Sequence, residues 1–290
     1  MMRFNTFIPL NAEDAKVSQK SQRNSFFVGF FCGLCAFLRL LRPLRSSIRI
    51  GLLGLSGRRL VGLMGVLFLL GGCASKPPVP DWQLNAKGAT ERFVAAYMSG
   101  NARVEAAEFD RARSDTSSTG RVDLLAKVEL IRCASRVASV VFEPCAGFER
   151  LRQDAPAAER AYADYLAGVL QPQDIALLPA AQRAAAAAAA TGATSATPAA
   201  SLKGSSDPLS QLVAAGVLLR TGRASPALLQ QAVDIASAQG WRRPLLAWLG
   251  VQAQRAEQAG DSQEALRLRR RIELTQGSRA ANTPSEAPRP

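Results

Sequence analysis

The stretch from Arg121 to Val140 constrains the fold most. At 100° per residue, Leu124, Val128, Ile131 and Ala138 share one face. Val122, Leu130, Cys133, Val137 and Val140 carry the apolar arc round the far side, which leaves a narrow polar strip of Glu129, Arg132, Arg136 and Ser139. A helix that is apolar on nearly every side has to be contacted from several directions. The expectation is an all-α fold of helical hairpins or a bundle, with this helix at the centre of its first domain.

The neighbouring stretches supply further helices. Ala86–Met98 places Phe93, Ala96 and Tyr97 on one face and stops at Ser99-Gly100-Asn101, where Gly suits a left-handed cap and Asn can cap the next helix. The next helix carries Val104, Ala107 and Phe109, and residues 115–120 form a loop. Phe142, Pro144, Cys145 and Phe148 make a turn packed on the end of the central helix, and Pro156–Ala167 offers Tyr162, Tyr165 and Leu166. Pro172 and Pro179 break the chain before an Ala-rich helix, Ala180–Ala190.

Residues 191–206 are low in complexity and read as a linker between an N-terminal helical domain, 81–190, and a C-terminal one, 207–275. Four helices are punctuated in the latter. Asp207-Pro208 and Ser225-Pro226 place a capping residue before Pro, and Asp261-Ser262-Gln263-Glu264 has capping-box spacing. Residues 276–290 lack apolar periodicity and are expected to be a disordered tail.

Ahead of these domains, Arg58-Arg59 precedes the apolar run Val61–Leu70 and then Gly71-Gly72-Cys73. Basic residues, about ten apolar residues and small residues before a cut follow the plan of a secretory signal. With Cys after the small residues, Leu70-Gly71-Gly72-Cys73 resembles the lipobox of bacterial lipoproteins. The resemblance covers residues 58–75. It implies cleavage before Cys73, acyl chains (palmitate among them) on that cysteine, and a prefix and signal peptide at 1–72. Residues 73–80, rich in Pro, would be a stiff tether. Ala74 after the lipid cysteine implies, by the same resemblance, sorting to the outer membrane on its periplasmic face.

Residues 1–57 fit this plan poorly. Phe26–Leu38 is apolar over 13 residues, short of the ~20 that cross a bilayer as a helix. The preferred expectation is a translation start downstream of this prefix; the alternative is a cytoplasmic extension with a membrane-dipping segment.

The formal charge of +13 is misleading as a guide to partners. Cleavage before Cys73 removes ten basic and two acidic residues, leaving 26 and 21, a balance of +5. So mild a surface argues against nucleic acid as a partner. The chain has no His, which excludes His-based nucleophiles and His metal sites. Of five cysteines, Cys133 and Cys145 are the two downstream of Cys73, an even pair suited to a disulfide in an oxidising compartment.

In the C-terminal part, Gly222, Ala227 and Leu228 recur as Gly260, Ala265 and Leu266, an offset of 38, with Ala215 on Ala253 and Val213 on Val251. Gly260-Asp261-x-x-Glu264-Ala265 resembles the turn of tetratricopeptide repeats, over residues 207–275. The period exceeds ~34 and the Trp/Leu-Gly/Tyr signature is lacking, so repeat (α-solenoid) and plain bundle both stay open. The repeat resemblance would imply a concave protein-binding face and no catalytic residues.

Candidate partner-binding residues are Trp241, Arg242 and Arg243, of types enriched in binding hot spots, and Arg267, Arg270 and Arg271 on one helix face. Trp241 and Trp248, seven apart, also fit a core face, which is the favoured reading; the Arg face also fits a solvated terminal helix. No G-x-S-x-G, Walker loop or metal-ligand cluster occurs. Glu105, Glu108 and Asp110 alternate with Arg103, Arg111 and Arg113 as on a salt-bridged surface helix, and Glu91 stands as a lone acid. The expected function is therefore a lipid-anchored, non-enzymatic module that binds an envelope protein, without cofactor or metal. The alternative is a peptidoglycan-cleaving helical enzyme. Partner binding is expected in 207–275, with a chain ending at Ala190 still folding.

Overall fold

A computed structural model of the chain describes residues 79–191, 202 and 205–280. The lipobox with Cys73, the prefix, most of the tether, most of the stretch read as a linker, and 281–290 lie outside the described residues.

Ten α-helices and one 3-10 turn occur among the described residues, without a strand. They are α1 (Asp81–Ser99), α2 (Ala102–Ser117), α3 (Val122–Ala138), α4 (Ala146–Glu149), α5 (Ala157–Ala167), the 3-10 turn (Pro172–Leu177), α6 (Ala180–Thr191), α7 (Pro208–Arg220), α8 (Pro226–Ala238), α9 (Arg242–Gln258) and α10 (Ser262–Ala280). The sequence places the turns between them. Asn101, Asp207, Ser225 and Asp261 each accept a hydrogen bond from the backbone N–H three residues on. Gly100 closes α1 with φ at 87°, a backbone state that costs a Cβ-bearing residue about 1 kcal/mol or more. Helix α10 runs on to Ala280, past the 276 boundary expected for the tail.

α1 and α2 form an antiparallel hairpin that packs on α3. α3 is buried on most sides, as its apolar arc requires. The second centre is α7, in which every residue from Leu209 to Leu218 except Gln211 is buried. It lies against α3, α5, α6 and α8. The chain then continues as α8, α9 and α10, each packed on the next, and α9 returns to touch α1.

That placement corrects the two-domain division. One continuous apolar cluster runs from Phe93 and Val128 through Leu212 and Leu218 to Trp248 and Leu268. α7 is buried on nearly every side, so it can only be stable inside the fold, and α3 and α6 supply surfaces that enclose it. The stretch 191–206 also contributes: Leu202 is buried in the same cluster, and the Gln211 side-chain amide donates to the carbonyls of Leu202 and Ser205. Of the positions paired by the 38-residue offset, Gly222 and Gly260 share a left-handed backbone and Ala215 and Ala253 are both buried, but two pairs differ in environment. Ala227 is exposed where Ala265 is buried, and Leu228 is buried where Leu266 is 52% exposed. Those two pairs face opposite ways, so the described residues pack as a bundle about α3 and α7.

Candidate functional site

The residues singled out in sequence are used in several different ways. Trp241 is buried at the start of α9 and Trp248 is fully buried one face along. The Trp248 indole N–H donates to the Ala138 carbonyl at 3.0 Å, tying α9 to the end of α3. A buried indole needs such an acceptor, and the last carbonyls of a helix are free to supply one.

Arg242 and Arg243 are half-buried and fasten helices together. Arg242 Nε donates to the Thr275 carbonyl at 3.0 Å, holding α9 to α10. Arg243 Nε donates to the Tyr97 carbonyl at 2.8 Å, and its guanidinium lies 4.4 Å from the centre of the Tyr97 ring. Of the partner-binding trio, Trp241 lies in the core, while Arg242 and Arg243 bind this chain's own helices and keep part of their surface exposed.

The Arg-rich helix is α10. Arg267 pairs with Glu264 at 2.8 Å and Arg269 with Glu257 at 2.6 Å, while Arg271 is half-buried. Arg270 is exposed and borders a shallow depression with Glu273, Leu274 and Gly277. Arg267 and Arg270 are the two candidates that face outward.

Cys133 and Cys145 lie at disulfide distance, their Cα atoms 5.8 Å apart. The link joins α3 to the loop leading into α4. In that loop Val140 has φ at 60°, uncommon for a β-branched residue, and Arg136 pairs with Glu143. Of the apolar residues expected to pack there, Phe148 is fully buried, whereas Phe142 keeps 37% exposure with the Arg220 guanidinium 5.5 Å from its ring.

The sequence did not reveal the polar seam between α2 and α3. Glu129, Arg132 and Arg136 face α2 and its ion partners, and Glu129 is only 5% exposed. Arg113 Nε meets the Glu129 carboxylate at 2.7 Å, and Arg132 Nε meets Glu105 at 3.0 Å while its guanidinium covers the Phe109 ring at 4.1 Å. Glu105 and Arg113, whose alternation with opposite charges fits a surface ladder, cross to α3 instead. Burial pushes the Glu129 carboxyl up, and Arg113, Arg132 and Arg150 pull it back in part. α4 closes over this carboxylate because residue 147 is Gly: a Cβ there would overlap the Glu129 side chain. Tyr97 sits between Arg243 and Arg136, whose guanidinium is 5.4 Å away; burial raises its phenol, and the two cations oppose that rise. The signal available in sequence was the 3–4 residue spacing of Glu129, Arg132 and Arg136, which marks one helix face without saying what covers it.

A second polar group lies deeper. Tyr165 donates to the Gln182 side-chain oxygen at 2.8 Å, and Gln182 donates to the Ser210 carbonyl at 3.1 Å. Beside it, a cleft of about 100 Å³ is lined mainly by Tyr165, Leu170, Ala186, Ala189 and Val217. Among the described residues, no three His, Cys, Asp or Glu side chains gather as a metal site would require. Glu91 lies half-buried on α1. No helix among these residues is long and apolar enough to cross a membrane. No protein-family model, no curated protein and no solved structure matches the chain.

Proposed function

We propose that this chain is a lipid-anchored protein of the bacterial outer membrane, facing the periplasm, that acts by binding another envelope protein rather than by catalysis. The observation that carries the proposal is Leu70-Gly71-Gly72-Cys73 behind a basic and apolar run, followed by a Pro-rich tether into α1. The Cys133–Cys145 pair at disulfide distance supports an oxidising compartment. The two acids of the α2–α3 seam support binding over hydrolysis. Glu105 and Glu129 are engaged by Arg132 and Arg113, as in a structural seam, and are not held apart across an open cleft.

Leu266, Arg267 and Arg270 are exposed on α10, and partner capture is assigned to that face. The test has two arms. Cys73→Ser should abolish palmitate labelling and release a soluble or unprocessed form; unchanged labelling sinks the anchor. Crosslinked envelopes should yield a captured protein with the native chain and lose it with Arg267→Glu/Arg270→Glu. Digestion of peptidoglycan by the purified protein would overturn the non-enzymatic assignment.

A further inference from the structure

We propose that the first turn of α1 is a bilayer contact, in which Trp82 and Leu84 rest in the headgroup region of the membrane that holds the acyl chains of Cys73. The proposal rests on the lipid-anchored reading above and adds to it a second, protein-borne contact with the same membrane.

Three observations carry it. First, α1 starts at Asp81, and the chain from Cys73 to Asp81 spans at most roughly 30 Å even when fully extended. An acylated Cys73 therefore keeps this end of the fold beside the bilayer in every orientation the protein takes. Pro77, Pro78 and Pro80 stiffen the connection. Second, the end of the helix shows the bilayer apolar surface: Leu84 is 55% exposed and Trp82, on the other side of the same turn, is half-buried, whereas Trp241 and Trp248 are enclosed in the core. A partly exposed indole, with an apolar body and one N–H, suits the interfacial region. Third, the sequence on either side of the turn is mildly basic, which suits anionic lipid. Lys76 precedes it, the exposed Lys87 follows it, and Asp81 is the one acidic residue between them. A contact too weak to recruit the protein alone becomes effective once the lipid makes it intramolecular.

The test uses the acylated protein extracted from membranes and placed in phosphatidylcholine–phosphatidylglycerol vesicles, with and without bromine atoms on the upper acyl chain. Brominated lipid should quench the Trp82 share of the emission. Trp82→Phe should remove that quenching, since the other two tryptophans lie in the core, and Leu84→Gln should reduce it. Vesicle-bound, acylated protein that is quenched no more than Trp82→Phe overturns the contact while leaving the anchor intact. If mass spectrometry finds no acyl group on Cys73, the anchor and this contact fall together.

Discussion

At Gly216, α7 approaches the backbone of α3 closely. A Cβ at this position would lie 2.3 Å from the Val137 carbonyl oxygen, 2.8 Å from its Cγ1 and 3.0 Å from its carbonyl carbon. Two of these atoms are backbone of a helix packed on several sides, so they cannot swing aside. Relief requires moving α7 away from α3, against which it packs. Such overpacking costs about 3 kcal/mol, the upper end of the usual range. Ala in place of Gly returns about 1 kcal/mol of helix propensity. Gly216→Ala should therefore lose about 2 kcal/mol, a fall in Tm of about 4–8 °C for a fold of this size. Gly250 supplies the comparison. It is also inside a helix, α9, but a Cβ there meets nothing within 4 Å. Gly250→Ala should gain about 0.5–1 kcal/mol. Urea unfolding followed by helical circular dichroism measures both, with the midpoint moving at constant m-value. If Gly216→Ala moves the midpoint upward, as Gly250→Ala does, the close approach of α7 to α3 is wrong.

Three further outcomes are expected. Cys133→Ser should cost about 3 kcal/mol by the loop-closure argument, and thiol alkylation with mass spectrometry of unreduced native protein should find Cys133 and Cys145 linked. Glu129 has its carboxyl pKa raised in the fold, so its contribution to stability is present below the unfolded carboxyl pKa and is lost as pH rises through the folded value. Melting Glu129→Gln beside the native chain between about pH 4 and pH 7 should show the native chain comparatively stronger at the acid end; parallel curves would contradict this. A chain ending at Ala190 should fail to unfold cooperatively, because it lacks α7 and leaves the facing sides of α3 and α6 open to water. A sharp transition in that truncation would restore the two-domain division.

The local level of this fold was legible in the sequence. Capping at Asn101, Asp207, Ser225 and Asp261 depends on one side chain and a backbone N–H three residues away, so four-residue patterns suffice to place it. The apolar arc of α3 followed from periodicity alone, as did the all-helical class. Periodicity says that a face is covered but not by which element. That choice fell to tertiary packing, and it decided the role of almost every candidate residue. Trp241 and Trp248 went to the core, where the Ala138 carbonyl takes one indole N–H. Arg243 turned inward because Tyr97, 146 residues earlier, offers a carbonyl and an aromatic face together. Glu129 was buried because Arg113 on α2 neutralises it and Gly147 leaves room above it. The low-complexity stretch before α7 looked like a boundary because composition there is weak; the buried perimeter of α7 itself requires enclosure by α3 and α6. Hydrogen bonds to distant carbonyls and contacts between helices far apart in the chain are set by three-dimensional proximity, which no window of sequence contains.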